Sequence, residues 1–230
     1  MAKALLEIDC SMEHIRQKNS LGETALLSAS EFGDLEVVKV LLEADSSREH
    51  IIRQDSSGAT ALISASDNGH SEIVKALLEV DSSTEHILQQ DSCGATALIS
   101  ASDNGHSEIV KALLVFDSTP EHTRRLDSCG ESALIKASEK GNMEIVKALL
   151  EADSSPEHIR QPDSRGQSAL IKASEKGNME VVKALLEADS SPDHIRQLDS
   201  CGRSALTKAS EKRNTEIVKV LLEVDSSVTI

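Results

Sequence analysis

The stretch GATALISASDNGHSEIVKALL fills residues 58–78 and occurs again, unchanged, at 94–114. No other feature constrains the fold as strongly, because the thirty-six-residue offset runs through the whole chain. Gly22, Gly58, Gly94, Gly130, Gly166 and Gly202 keep it, as do His14, His50, His86, His122, His158 and His194. Asp45, Asp81, Asp117, Asp153, Asp189 and Asp225 form a third such series. A period of this size marks an array of small units, each too thin to bury its own apolar side. Each copy is then the hydrophobic partner of the next. The phase reads as one array over 1–230: a half unit 1–21, then repeats 22–57, 58–93, 94–129, 130–165, 166–201 and 202–230. KALLEID at 3–9 matches KALLEVD at 75–81, so the chain enters the pattern in mid-unit.

One unit can be read physically. D-S-x-G has the residues of a type I turn, with Asp first and Gly fourth. Thr60 and its equivalents then stand at an N-cap position before ALISAS. Small residues such as Ala61 and Ala65 let a neighbouring helix come close. Gly in N-G or K-G supplies a left-handed stop. Asp34, Asn142, Asn178 and Asn214 are placed to cap a second helix. EIVKALLE there puts Ile73, Val74, Leu77 and Leu78 on one face and Glu72, Lys75 and Glu79 on the other. The connecting segment reads SPEHIRQ at 155–161. Pro120, Pro156 and Pro192 share its register and follow Ser or Thr, the preference of a first helical position. A short helical turn is expected there, with Ile51, Ile87, Ile159 and Ile195 inward. The fold class is thus all-α: a solenoid of six helix pairs, with helical turns in the connections.

Composition agrees with thin layers. The hydrophobic content is 39%, yet there is no Trp, no Tyr and only 2 Phe, too few aromatics for a broad core. The net charge of −15 opposes phosphate backbones and anionic membranes. It is uneven: residues 1–115 hold 8 Lys+Arg against 19 Asp+Glu, and 116–230 hold 16 against 20. No apolar run reaches the ~18 residues of a membrane span. The start lacks the apolar centre of a signal peptide. These features suit a protein kept inside the cell, and equally an effector exported without a recognised signal.

The unit DSSGATALISASDNGHSEIVKALLEV and its five relatives resemble the ankyrin repeat, whose pattern is D-x-x-G-x-T-P-L-H-x-A-A-x-x-G-H-x-E-V-V-x-L-L-L. The departures are informative. Ala stands for the Pro of T-P-L-H, and Leu27, Ile63, Ile99, Ile135, Ile171 and Thr207 stand for its His. The imidazole bonds between repeats that the resemblance implies are therefore expected to give way to apolar packing. The unit is three residues longer than the family's thirty-three. That puts a projecting β-hairpin in doubt and favours a helical turn. Pumilio-type RNA-binding repeats share the length but need stacking aromatics on a basic face.

Candidate chemistry is sparse. Equivalent His residues one repeat apart, at roughly 8–10 Å, cannot share a metal whose bonds are about 2 Å. They read as packing residues, with pH-sensitive stability as the functional alternative. Cys93, Cys129 and Cys201 share one register and are likewise too far apart for a disulfide, which needs Cα atoms within ~7 Å. With Cys10 they read as free thiols of a reducing compartment. No nucleophile elbow, phosphate loop, dinucleotide fingerprint or metal knuckle is present. No enzyme activity, metal or cofactor is expected. The end VTI has the pattern of a tail captured by strand addition.

Positions that differ between copies are free of framework duty. They are Glu23, Ala59, Ala95, Glu131, Gln167 and Arg203 in the turn; Ser28, Ser64, Ser100, Lys136, Lys172 and Lys208 in the first helix; and Phe32, Asn68, Asn104, Lys140, Lys176 and Lys212 one turn on. The resemblance implies that these registers line the concave groove of a right-handed stack, where partners bind. The expected function is a non-catalytic module binding a protein or peptide, with no nucleic acid and no membrane. The lysines suggest an acidic ligand segment facing repeats four to six. The competing reading is a structural spacer without a ligand, either a natural fragment or a consensus-like engineered array. Apolar helix faces near 3–8 and 217–224 suggest end-to-end self-association.

Overall fold

The structure, a computed structural model, describes residues 12–227. KALLEID, Cys10 and the VTI tail lie outside the described residues. Every regular element among the described residues is a helix. Contacts divide the chain into two compact units, 1–117 and 118–230.

In the first unit, helix pairs alternate with one-turn connectors. The connectors are α1 (Met12–Ile15), α4 (Arg48–Ile51) and α7 (Thr84–Ile87). The pairs are α2 (Ala25–Phe32) with α3 (Leu35–Ala44), α5 (Ala61–Asp67) with α6 (Ser71–Val80), and α8 (Ala97–Asn104) with α9 (Ser107–Phe116). First helices pack on first helices, α2 on α5 on α8, and second helices on second helices. The second unit repeats the plan. Its connectors are α10 (Pro120–Thr123), α13 (Pro156–Ile159) and α16 (Pro192–Ile195). Its pairs are α11 (Ala133–Lys140) with α12 (Met143–Ala152), α14 (Ala169–Lys176) with α15 (Met179–Ala188), and α17 (Ala205–Glu211) with α18 (Thr215–Ser227).

Local chemistry explains these boundaries. Thr24, Thr60, Thr96, Ser132 and Ser204 each accept a hydrogen bond from the backbone three residues on; Ser168 does not. Each such cap stabilises its helix by about 1 kcal/mol. Gly33, Gly105, Gly141 and Gly177 end the first helices in the left-handed region. The connectors are the helical turns expected of SPEHI, with Pro120, Pro156 and Pro192 in the first turn. Ile51, Ile87, Ile159 and Ile195 are buried. The core of each unit is a seam of Leu, Ile, Val and Ala from successive repeats, including Leu62 and Leu98 in the first and Leu134 and Leu170 in the second.

Two expectations need correction. Asp34 caps its helix through the Val37 N–H, but the side chains of Asn142 and Asn178 make no cap bond. Asn178 Nδ2 instead donates to the carbonyls of Ser138 and Glu139, both at 2.9 Å, and Asn214 Nδ2 to that of Ser174. They satisfy orphan carbonyls at the end of the preceding repeat's first helix. At the same register, His70 Nε2 donates to the Glu31 carbonyl at 2.9 Å and His106 Nε2 to that of Asp67 at 3.0 Å. Imidazole bonds between repeats therefore persist, carried by a different histidine from the one this chain lacks.

The turns also link repeats. Gly58 has φ +78, and an added Cβ would sit 2.9 Å from the Ser92 backbone nitrogen of the next turn. Ser92 N–H donates to the Ser57 carbonyl at 2.8 Å. Glycine is needed here for the left-handed backbone and for the close approach.

Candidate functional site

The turn and the inner face of the first helix define a hollow in each unit. In the first unit it has a volume of about 260 Å³. It is lined by Glu23, Ala59, Ser64, Asn68 and Ser100 of the expected residues, together with Glu31, Asp55, Asp67 and Asp91. Asp55 Oδ1 accepts from the Ser57 and Ala59 N–H groups, which shapes the turn. Asp91 does the same for Cys93 and Ala95. Glu23 accepts from Asn19 at 2.7 Å and from Ser28 at 3.3 Å, and Asn104 Nδ2 donates to Asp67 at 2.8 Å. Among the described residues, none of these five carboxylates has an ion-pair partner. Phe32 is 80% exposed.

The second unit carries the same frame with the charges neutralised. Its hollow, about 290 Å³, is lined by Glu131, Glu139, Asp163, Arg165 and Lys172 among others. Lys172 Nζ lies 2.8 Å from Glu131, 3.3 Å from Glu139 and 3.5 Å from Asp163. Lys136 pairs with Glu131 at 2.7 Å and with Asp127 at 3.3 Å. Lys208 pairs with Glu175 at 3.0 Å, and Lys176 with Glu139 at 3.0 Å. Lys212 lies 3.8 Å from Glu175. Arg203 holds its own turn Asp199 at 3.0 Å, and Gln167 is buried. Burial alone would raise the Glu131 carboxyl, but the Lys136 and Lys172 ammoniums hold it below the usual carboxylate range. Burial opposes the charge on Lys172, yet Glu131 and Glu139 keep its pKa above the ordinary lysine value.

These pairs engage Lys136, Lys172, Lys176, Lys208 and Lys212, the lysines expected to face an acidic ligand on repeats four to six. From residue type alone the lysines are expected to be free groove charges. Lys172 and Lys208 are instead buried, and their ammoniums already sit among carboxylates. The variable registers point to the groove, but they miss Glu31, Asp55, Asp67 and Asp91. These acids recur in nearly every copy and so read as framework. A usable signal exists: an Asp or Glu three residues after each Ser28-type position, one helical turn on, shares its face.

His50, His86, His122, His158 and His194 are buried. His86, His158 and His194 donate from Nδ1 to the carbonyls of Asp81, Asp153 and Asp189 at 2.6–2.7 Å. Burial lowers the pKa of all three and of His50. Cys93, Cys129 and Cys201 are exposed free thiols. Among the described residues no group of three His, Cys, Asp or Glu could hold a metal ion, and no helix is long and apolar enough to cross a membrane.

A family model described as ankyrin repeats (3 copies) matches residues 1–86, 80–160 and 152–230. The chain belongs to the ankyrin repeat family. The crystal structure of EF0377, an ankyrin repeat protein, is similar to it with a TM-score of 0.76 and 31% sequence identity, covering 90% of this chain and 99% of that one. No curated protein matches. The ankyrin repeat is generally a protein–protein interaction module and typically non-catalytic. Since 517 solved chains match, the fold alone does not single out a partner.

Proposed function

We propose that this ankyrin repeat chain is a non-catalytic module that binds a protein or peptide segment along its concave groove, with repeats 22–57, 58–93, 94–129, 130–165, 166–201 and 202–230 as its units. The observation that carries this is positional. Residues that recur, such as Leu62, Ile73 and His86, are buried. Several of those that vary between copies border the hollows: Glu23, Ala59, Ser64, Asn68 and Ser100 in the first unit, Glu131 and Lys172 in the second. A packed framework with a variable lining is how a repeat array separates stability from recognition.

A displayed peptide library selected on the full chain tests this. Ala59→Arg and Ala95→Arg, at a register where Arg203 already stands, should weaken selected ligands at least ~10-fold. Lys75→Glu and Lys183→Glu, on the second helices, should leave them unchanged. Ligands lost only in the second-helix variants would move the site elsewhere. The identity of residues 58–78 and 94–114 favours a spacer reading, which predicts that no ligand is enriched. For an RNA reading, a salt-dependent gel shift decides. None is expected, because a carboxylate-lined groove repels phosphate.

A further inference from the structure

The second unit shows what its groove carboxylates hold. Glu131, Glu139 and Asp163 surround the Lys172 ammonium at 2.8–3.5 Å. Moving back 108 residues, three periods, these positions are Glu23, Glu31, Asp55 and, in place of the lysine, Ser64. Likewise Glu175 and Asp199, which hold Lys208 at 3.0 and 4.0 Å, correspond to Asp67 and Asp91, with Ser100 in place of the lysine. All seven first-unit residues line one hollow. Acids and frame are shared, and only the cations are missing from these registers.

A second observation points the same way. Ser100 is only 7% exposed, yet its hydroxyl has no hydrogen-bond partner among the described residues while it lines the hollow. The hydroxyl oxygen is not among the enclosed, unpartnered polar atoms, so it is open to a donor entering the hollow.

We propose that the first unit's hollow receives two basic side chains of a bound segment, one over Ser64 between Glu23, Glu31 and Asp55, the other over Ser100 between Asp67 and Asp91. The partner supplies in trans the cations that Lys172 and Lys208 supply in cis. This rests on the reading of the groove as the recognition surface and names its partner's chemistry. The carboxylates do not converge as a metal site requires, so a cation carried on a long side chain fits better than an ion. Successive cradles lie one repeat apart, roughly 8–10 Å by helix packing. An extended polyproline II segment rises about 3.1 Å per residue with three residues per turn, so it places residues i and i+3 on one side about 9 Å apart. The ligand is therefore a segment with Arg or Lys at i and i+3.

The test titrates the full chain with a fluorescent peptide carrying Arg at every third residue in a proline-rich background, and with the same peptide carrying Glu or citrulline there. The Arg peptide should bind, and raising salt from about 50 to about 300 mM should weaken it at least ~10-fold. The Glu and citrulline peptides should not bind. The double variant Ser64→Lys, Ser100→Lys installs the second unit's own side chains, which this frame accommodates, and should abolish at least ~90% of binding while keeping the fold by circular dichroism. Equal binding of the Arg peptide to wild type and double variant overturns the proposal, as does absence of binding. Saturation by calcium ions alone, without peptide binding, also overturns it. A library-selected ligand without basic residues, lost in the double variant, would overturn this inference while keeping the groove as the recognition surface.

Discussion

The two units share a frame and differ in who supplies the positive charge. The first holds 8 Lys+Arg and 20 Asp+Glu, the second 16 and 19. The acids are almost equal in number and keep their registers. The changes include Ser28 against Lys136, Ser64 against Lys172 and Ser100 against Lys208. The second unit closes its carboxylates over internal ammoniums, whereas the first leaves them facing solvent. The lining thus differs at a handful of positions while the Leu, Ile, Val and Ala seam keeps its registers. On the proposal made above, recognition depends on which acids lack an internal counter-ion, a different quantity from the number of charges present.

The largest expected effect is one the units share. Burial depresses the pKa of His50 and His86 in the first unit and of His158 and His194 in the second. Below about pH 6.5 the unfolded chain then binds more protons than the folded one. Stability from these groups is complete above that pH and falls as pH drops through it, by at most ~1.4 kcal/mol per group per pH unit. Carboxylates act lower. Burial works against the Asp189 charge, but Arg160 and Ser191 hold its pKa down to about 2. Its contribution is present above about pH 4 and lost as pH falls toward 2. Unfolding free energies from urea titration should drop by several kcal/mol between about pH 7.5 and about pH 5.5, with hydrogen exchange accelerating in both units. Protection lost in only one unit would break the idea of a common frame.

Core truncation comes next. Leu62→Ala and Leu170→Ala, both buried in first helices, should each cost about 3 kcal/mol in urea unfolding of the full chain. A difference above about 1 kcal/mol would show that the units pack differently. The groove should separate them. Lys172→Met leaves Glu131, Glu139 and Asp163 without their shared cation and should cost about 2 kcal/mol, less than a fully enclosed pair because Glu139 is partly exposed. Ser64→Lys, the reverse change, should be neutral or stabilising by up to ~1 kcal/mol, and more so at low salt. If Ser64→Lys destabilised by as much as Lys172→Met, the two sets of carboxylates would not be equivalent.

The period, the apolar faces, the glycine turns and the helical connectors were legible because each is a local consequence of the repeat itself. The inward Ile159 and the Thr60 cap follow from spacing and side-chain type. Three things were not legible. Asn178 has the chemistry of an N-cap, and only the position of the preceding repeat shows that Ser138 and Glu139 carbonyls compete for it and win. Lys172 reads from its type as an exposed charge. Its burial among Glu131, Glu139 and Asp163 depends on residues up to 41 positions away. Sorting positions by variability also hid the recurring acids, because Asp55 shapes its turn with one oxygen and faces the hollow as well.

The smallest effect concerns the last repeat of the second unit. Where Gly33, Gly69, Gly105, Gly141 and Gly177 follow the first helices at φ near +80, the sixth copy places Arg213 at φ 62. A side chain there is strained by roughly 1 kcal/mol, since Cβ crowds the following carbonyl. Arg213→Gly relieves the strain but also frees the unfolded chain, which offsets part of the gain. The net should be a stabilisation of about 0.5 kcal/mol, read as a small rise in urea midpoint and slower hydrogen exchange across α17 and α18. The reverse change, Gly141→Arg, should cost more than Arg213→Gly gains. An added Cβ at Gly141 meets the Asn178 carboxamide at 2.9 Å, where an inner repeat has a neighbour to displace. Equal and opposite effects would mean that the backbone conformation alone sets the preference for glycine, and that the next repeat's side chain plays no part in it.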